Sequence, residues 1–234
     1  MGLEHVLGNY EYFLNDEDAS IYTGDSGVET YKETIDFVLS PEEINEFLQK
    51  AKDFNFGQHR YSETTGMYAT KLVQNSIDAE NNVFELITVP FKMDCFGFGL
   101  KLKHGEPVFI DVHGNLGNSC FTGSEGCFID VHGSVKDQFA RCAKDGQYRV
   151  TGNAGYGAGG YSERCTYEFG ANVLRGFDCA KGNEFRAFTP EGLKTLKKYV
   201  PSGNSIYDLT QHKINKVTRL RDRFPFLEHF MRRH

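Results

Sequence analysis

The feature that most constrains this fold is a literal internal repeat between Val108 and Phe188. Four successive stretches, VFIDVHGNLGNSCFTGSEGC, FIDVHGSVKDQFARCAKDGQ, YRVTGNAGYGAGGYSERC and TYEFGANVLRGFDCAKGNEFRAF, each open on a short apolar run that ends in glycine. Gly114, Gly133 and Gly152 stand 19 residues apart, and Gly170 follows 18 later. A constant step near 20 residues, with one strand-like run and one turn per unit, is the pattern of a solenoid, whose coils bury their apolar faces only by stacking on one another. Of the chain's 25 glycines, 15 lie between Gly105 and Gly182, so the glycine excess belongs to the repeat and not to linkers. Those glycines are expected to supply tight bends and positive φ between strands.

Within each unit FIDVHG alternates, and alternation along a strand sends successive side chains to opposite faces of a sheet. Ile110, Val112, Ile129, Val131 and Val150 are therefore expected to point inward, and Asp111, His113, Asp130 and His132 outward. Two copies of Asp-x-His one coil apart put two carboxylates and two imidazoles within reach, because stacked strands lie about 4.8 Å apart. That set, Asp111, His113, Asp130 and His132, suits a divalent metal or acid/base work. The competing expectation is an exposed ladder. Arg149 follows Asp111 and Asp130 in their column and Thr151 follows the histidines, and two unit charges about 5 Å apart in water interact by only about 1 kcal/mol.

The runs VHGNLGNSCFTGSEG and VTGNAGYGAGGYSERCTYEFGANV resemble the GXGXG repeat. That repeat forms a right-handed parallel β-helix in the C-terminal region of the glutamate synthase large subunit, and it also occurs in one of the subunits of formylmethanofuran dehydrogenase. Where the pattern carries Gly-Gly before each strand, this chain has Glu125-Gly126, Asp145-Gly146 and Arg164-Cys165. The resemblance implies a right-handed parallel β-helix of about four to five coils over 96–188. It also implies a structural or assembly element without catalytic residues, working through a protein partner or homo-oligomer, for example within a larger redox enzyme complex.

Flanking segments extend the architecture. Residues 1–95 are expected to form a small α+β cap over the open end of the solenoid, and 189–234 helices that pack on or cap the other end. In the first region a short strand is expected around Tyr10–Leu14 within otherwise irregular structure, and Ile35, Phe37 and Leu39 alternate as in a half-buried strand over 31–39. Ser40, Pro41 and Glu43 form a capping box before the stripe Ile44, Phe47, Leu48, Ala51, which predicts a helix. Met67–Val73 and Val83–Val89 suggest a β-hairpin, with a helix over Ala69–Ile77 as the alternative. Thr189 and Pro190 start a short helix bearing Leu193, Leu196 and Val200. Ser205 is expected to cap a longer amphipathic helix carrying Leu209, Val217 and Leu220, interrupted at Pro225.

Composition narrows the function classes. The chain has 234 residues, 39% hydrophobic and 14% aromatic, which suits a globular fold with a sizeable core. No run of about 18 apolar residues and no signal-like N-terminus points to a membrane or to export, so a cytoplasmic location is expected. The six cysteines show no CxxC spacing and are expected to be reduced and mostly buried. GNAGYGAGG lacks the following helix that a dinucleotide loop needs. The N-terminal 49 residues carry one basic residue, Lys32, against twelve acidic ones, while the last 25 carry seven basic residues against Asp222 and Glu228. A net charge of −6 and an isoelectric point near 5.8 weigh against nucleic acid and favour a protein-facing surface. The expectation is thus a non-catalytic interaction module without cofactor, against the alternative of a metal-dependent or metal-binding protein.

Overall fold

The structure is a computed structural model that describes residues 2–15, 35–54, 61–88, 93–102 and 106–211. Its centre is a parallel β-solenoid with flanking helices. Seven strands, β1 (Val83–Ile87), β2 (Val108–His113), β3 (Cys127–His132), β4 (Gln147–Val150), β5 (Thr166–Phe169), β6 (Glu184–Ala187) and β7 (Ser205–Asp208), form one sheet in sequence order, and every adjacent pair is parallel. The register follows the repeat. Ile110, Ile129, Tyr148, Tyr167 and Phe185 share one column, and Val112, Val131, Val150, Phe169 and Ala187 share the next but one. All ten are buried, as the alternation requires.

Stacking identical positions also stacks their chemistry. The rings of Tyr148, Tyr167 and Phe185 lie face to face at 5.2 Å steps, a geometry worth about 1 kcal/mol per pair beyond the area buried. The buried tyrosine hydroxyls find partners inside: Tyr148 Oη lies 2.9 Å from Ser124 Oγ, and Tyr167 Oη donates to the Ala140 carbonyl at 3.1 Å. Outside the strands a side-chain ladder joins the coils. Asn115 Oδ1 accepts from Ser134 N, Ser134 Oγ from Asn153 N, and Asn153 Oδ1 from Asn172 N, at 2.8 to 3.1 Å.

Two of the glycines that mark the period, Gly133 and Gly152, do a different job from the expected one. A Cβ on Gly133 would stand 2.1 Å from the Gly114 carbonyl oxygen, and one on Gly152 would stand 2.6 Å from that of Gly133. These residues are glycine because adjacent coils touch backbone to backbone there. Positive φ, as expected, occurs at Gly114 and at positions that also repeat: Ser119, Gln138, Gly157 and Gly176, and again Gly126, Asp145, Arg164 and Gly182. Each non-glycine in that region costs about 1–2 kcal/mol, which the coil-to-coil bonds must offset.

Several expectations at the two ends are corrected. Tyr10–Leu14 is not a strand but part of helix α1 (Leu3–Asn15), whose buried Tyr10 meets Phe47 and Tyr68 edge-on. Helix α2 (Pro41–Ala51) carries the expected capping box, Glu43 N donating to Ser40 Oγ and Ser40 N to Glu43 Oε2. The β-hairpin does not form. Its first half lies within helix α3 (Tyr61–Asp78), and its second half, β1, pairs with β2 as the first strand of the solenoid. Helix α3 is buried on nearly every side, so it lacks the one-sided stripe by which a helix is normally read. Of 31–39, residues 35–39 alternate buried and exposed as expected but join no sheet; Asn75 Nδ2 on α3 holds the Ile35 and Phe37 carbonyls at 2.9 Å instead. The described residues among the first 95 thus contribute helices and one solenoid strand.

At the other end, helix α4 (Pro190–Tyr199), with Thr189 as N-cap, forms as expected and buries Leu193 and Leu196. Ser205 does not cap a helix; it opens β7, which pairs with β6. Val217, Leu220 and Pro225 lie outside the described residues. Strands therefore stand on both sides of the 96–188 span. Among the described residues no helix is long and apolar enough to cross a membrane.

Candidate metal centre

The parallel register carries the outward residues into columns as strictly as the inward ones. One column runs Glu85, Asp111, Asp130, Arg149, Glu168, Arg186, Tyr207, and a neighbouring one pairs Ile87 with His113 and His113 with His132. Alternation correctly assigns these side chains to the outer side of the sheet. The expected exposed ladder, however, is corrected: Asp111, Asp130 and Arg149 retain only 6, 3 and 5% of their accessible surface. The pattern of a strand tells which side of the sheet a residue faces, and not whether that side is wet.

Burial raises the stakes of each charge, because an ion removed from water must be paired. Most of the column alternates in sign and pairs accordingly. Arg149 Nη1 donates to Asp130 Oδ2 at 3.2 Å, and Arg186 donates from Nη1 to Glu168 Oε1 at 3.0 Å and from Nη2 to Glu184 Oε2 at 2.9 Å. The acidic start of the column is different. Asp111 has Glu85 on one side and Asp130 on the other, and no lysine or arginine pairs with it among the described residues.

Its neighbours are imidazoles. His132 Nε2 stands 2.7 Å from Asp111 Oδ1 and His113 Nε2 3.8 Å from the same oxygen, while Glu85 Oε1 lies 3.4 Å from His113 Nε2. The two histidine rings stack at 4.8 Å with an interplanar angle of 9°, as the coil spacing dictates. One donor atom each from Asp111, His113 and His132 falls within 4.8 Å of the other two. Asp111 Oδ1, His113 Nε2 and His132 Nε2 are all shielded from solvent, and their nearest charged neighbours are one another and Glu85. The Asp111 carboxylate beside His132 raises the pKa of that imidazole above its ordinary value, outweighing burial, which acts the other way.

Three of the four residues expected to act together are therefore brought together, and Asp130 is turned to Arg149. Glu85 is the residue sequence reasoning missed. Its strand lies 26 residues before the matching position of β2, as in Glu85 and Asp111, so the period of 19 does not reach it. Four of the six cysteines, Cys95, Cys120, Cys127 and Cys165, are buried, and burial pushes the Cys95 and Cys127 thiols up to about 12, while Cys142 and Cys179 are exposed. Comparison with known proteins finds no family model that matches the chain, and no match among curated proteins or solved structures.

Proposed function

We propose that this chain is a non-catalytic β-solenoid that binds one divalent transition-metal ion through Asp111, His113 and His132. The observation that carries this is the convergence of three solvent-shielded donor atoms within 4.8 Å of one another, with no lysine or arginine paired to Asp111 among the described residues, where three carboxylates follow one another along the outer column. A bound cation supplies the charge that Arg149 and Arg186 supply further along. Two imidazoles and a carboxylate suit zinc, cobalt, nickel, iron or manganese rather than the all-oxygen sets preferred by magnesium and calcium. The test is metal content after the full chain is equilibrated with zinc, cobalt or manganese and dialysed. About one ion per chain is expected, abolished by His113→Ala combined with His132→Ala; a wild-type protein that retains no metal overturns the proposal.

A protein-interaction role is supported by a separate observation. An open groove of about 430 Å³ crosses successive coils between Asn118, Lys136, Gly155 and Leu174, and Leu174 and Tyr156 stand exposed on these coils. Exposed apolar side chains beside such a groove suit a protein partner or a second copy of the chain. Sedimentation of the full chain tests this role, since a strict monomer with no retained partner counts against it.

A further inference from the structure

Resting on that metal-binding reading, we infer that Glu85 is a fourth ligand, so that the ion sits in a closed four-coordinate site and staples the first three strands of the solenoid together. Structural sites of this kind fill every position with protein donors, whereas catalytic ones keep a position open for water or substrate. The identity of the fourth donor therefore decides what the site is for.

Glu85 qualifies by position. It lies on β1 in register with Asp111, and its Oε1 is 3.4 Å from His113 Nε2. Ligand bonds of about 2.0–2.2 Å place the corners of a tetrahedron roughly 3.3–3.6 Å apart. Three of the six edges, 2.7 Å for His132 with Asp111, 3.4 Å for Glu85 with His113 and 3.8 Å for His113 with Asp111, lie around that value; Glu85 stands outside the group whose donor atoms all fall within 4.8 Å of one another, so its exposed side chain must turn from His113 toward Asp111 and His132 to close the site. Glu85 is also the most exposed of the four side chains, so its carboxylate occupies the solvent side of the cluster, from which an exogenous ligand would come.

The consequence is mechanical. Glu85 comes from β1, Asp111 and His113 from β2, and His132 from β3, so one ion ties three consecutive strands. The β1 strand stands at the edge of the sheet and pairs only with β2. It is also the strand on which the helical cap rests: Gln49 Nε2 donates to the Ile87 carbonyl and Ile87 N donates to Asn45 Oδ1, both from α2. Metal binding should thus lock the cap to the solenoid.

The full chain loaded with Co²⁺ alone tests this, since four-coordinate cobalt absorbs visible light far more strongly than five- or six-coordinate cobalt. Wild type is expected to show the intense bands. Glu85→Ala is expected to keep one cobalt through the other three ligands with water in the fourth position, so its bands should shift and become pH-dependent as that water ionises, whereas those of wild type should not. In parallel, Co²⁺ should slow amide exchange across Val83–Ile87 by roughly tenfold or more in wild type and not in Glu85→Ala. Weak bands in wild type, or strong bands and slowed exchange unchanged by Glu85→Ala, overturn the fourth ligand while leaving the three-residue site standing. Failure of wild type to take up cobalt overturns both.

Discussion

Asp111 shows how a single residue can be placed by a repeat and yet be given its chemistry by its neighbours. Its sequence twin Asp130 occupies the same place in the next coil, but Asp130 meets Arg149 and Asp111 meets two imidazoles. In the metal-free protein the carboxylate of Asp111 holds the His132 imidazolium, so the histidine is expected to titrate above the ordinary value of about 6.5. The sign follows from linkage. A pKa raised by folding contributes stability that is fully present below about 6.5 and is lost as pH rises through the higher folded value. Titration of the His132 ring by NMR in metal-free protein checks this, with Asp111→Asn expected to bring it back toward the ordinary range. A wild-type His132 that titrates at or below about 6.5 would contradict the ion pair.

At the scale of the element, the coil is held by two kinds of glycine that composition cannot tell apart. Gly152 has no room for a side chain, its Cβ direction ending 2.6 Å from the backbone of the preceding coil, whereas Gly123 has φ +69° and nothing within 4 Å. Gly123→Ala should therefore cost only the left-handed backbone, about 1 kcal/mol. Gly152→Ala must push two coils apart along a row of hydrogen bonds and should cost about 3 kcal/mol. Urea denaturation of the two variants measures the difference, and equal losses would show that the coils are not in backbone contact at Gly152. The flanking helices obey a related rule. Gly66 on α3 lets the helix approach the Asp94 carbonyl so closely that a Cβ would stand 1.9 Å from it, which accounts for a glycine inside an 18-residue helix.

For the whole molecule, the sheet order β1 to β7 means that each strand pairs only with its sequence neighbours. Stability in such an array is a sum of coil terms and nearest-neighbour interfaces. Phe185, fully buried between Tyr167 and Phe177, tests this. Phe185→Ala should cost about 3–5 kcal/mol, and the loss of hydrogen-exchange protection should concentrate in β5, β6 and β7 while β2 and β3 stay protected. Uniform loss over all seven strands would show a single cooperative unit instead. The helices enter the same array: α4 stands between β6 and β7, so the last step of the solenoid takes 21 residues where the one before takes 18.

The repeat by itself determined the parallel solenoid, the register of β2 to β6 and the side of the sheet on which Asp111, His113, Asp130 and His132 lie, because a fixed period with period-two alternation admits few other packings. Capping chemistry at Ser40 and Thr189 was legible for the same reason, being local. Strand β1 was legible as a strand but not its pairing with β2, and β7 was not legible, since one is joined to β2 through a longer connection and the other follows a helix, and a period cannot be read across either. Helix α3 was legible only as the alternative over Ala69–Ile77, because burial on nearly all sides erases the stripe that would have decided for it. The candidate site was half visible. Sequence could place the Asp-His pairs one coil apart, but only tertiary packing decided that Arg149 takes Asp130, that Glu85 arrives beside His113, and that Asp111, Asp130 and Arg149 are buried, because those outcomes depend on contacts between residues with no fixed spacing along the chain.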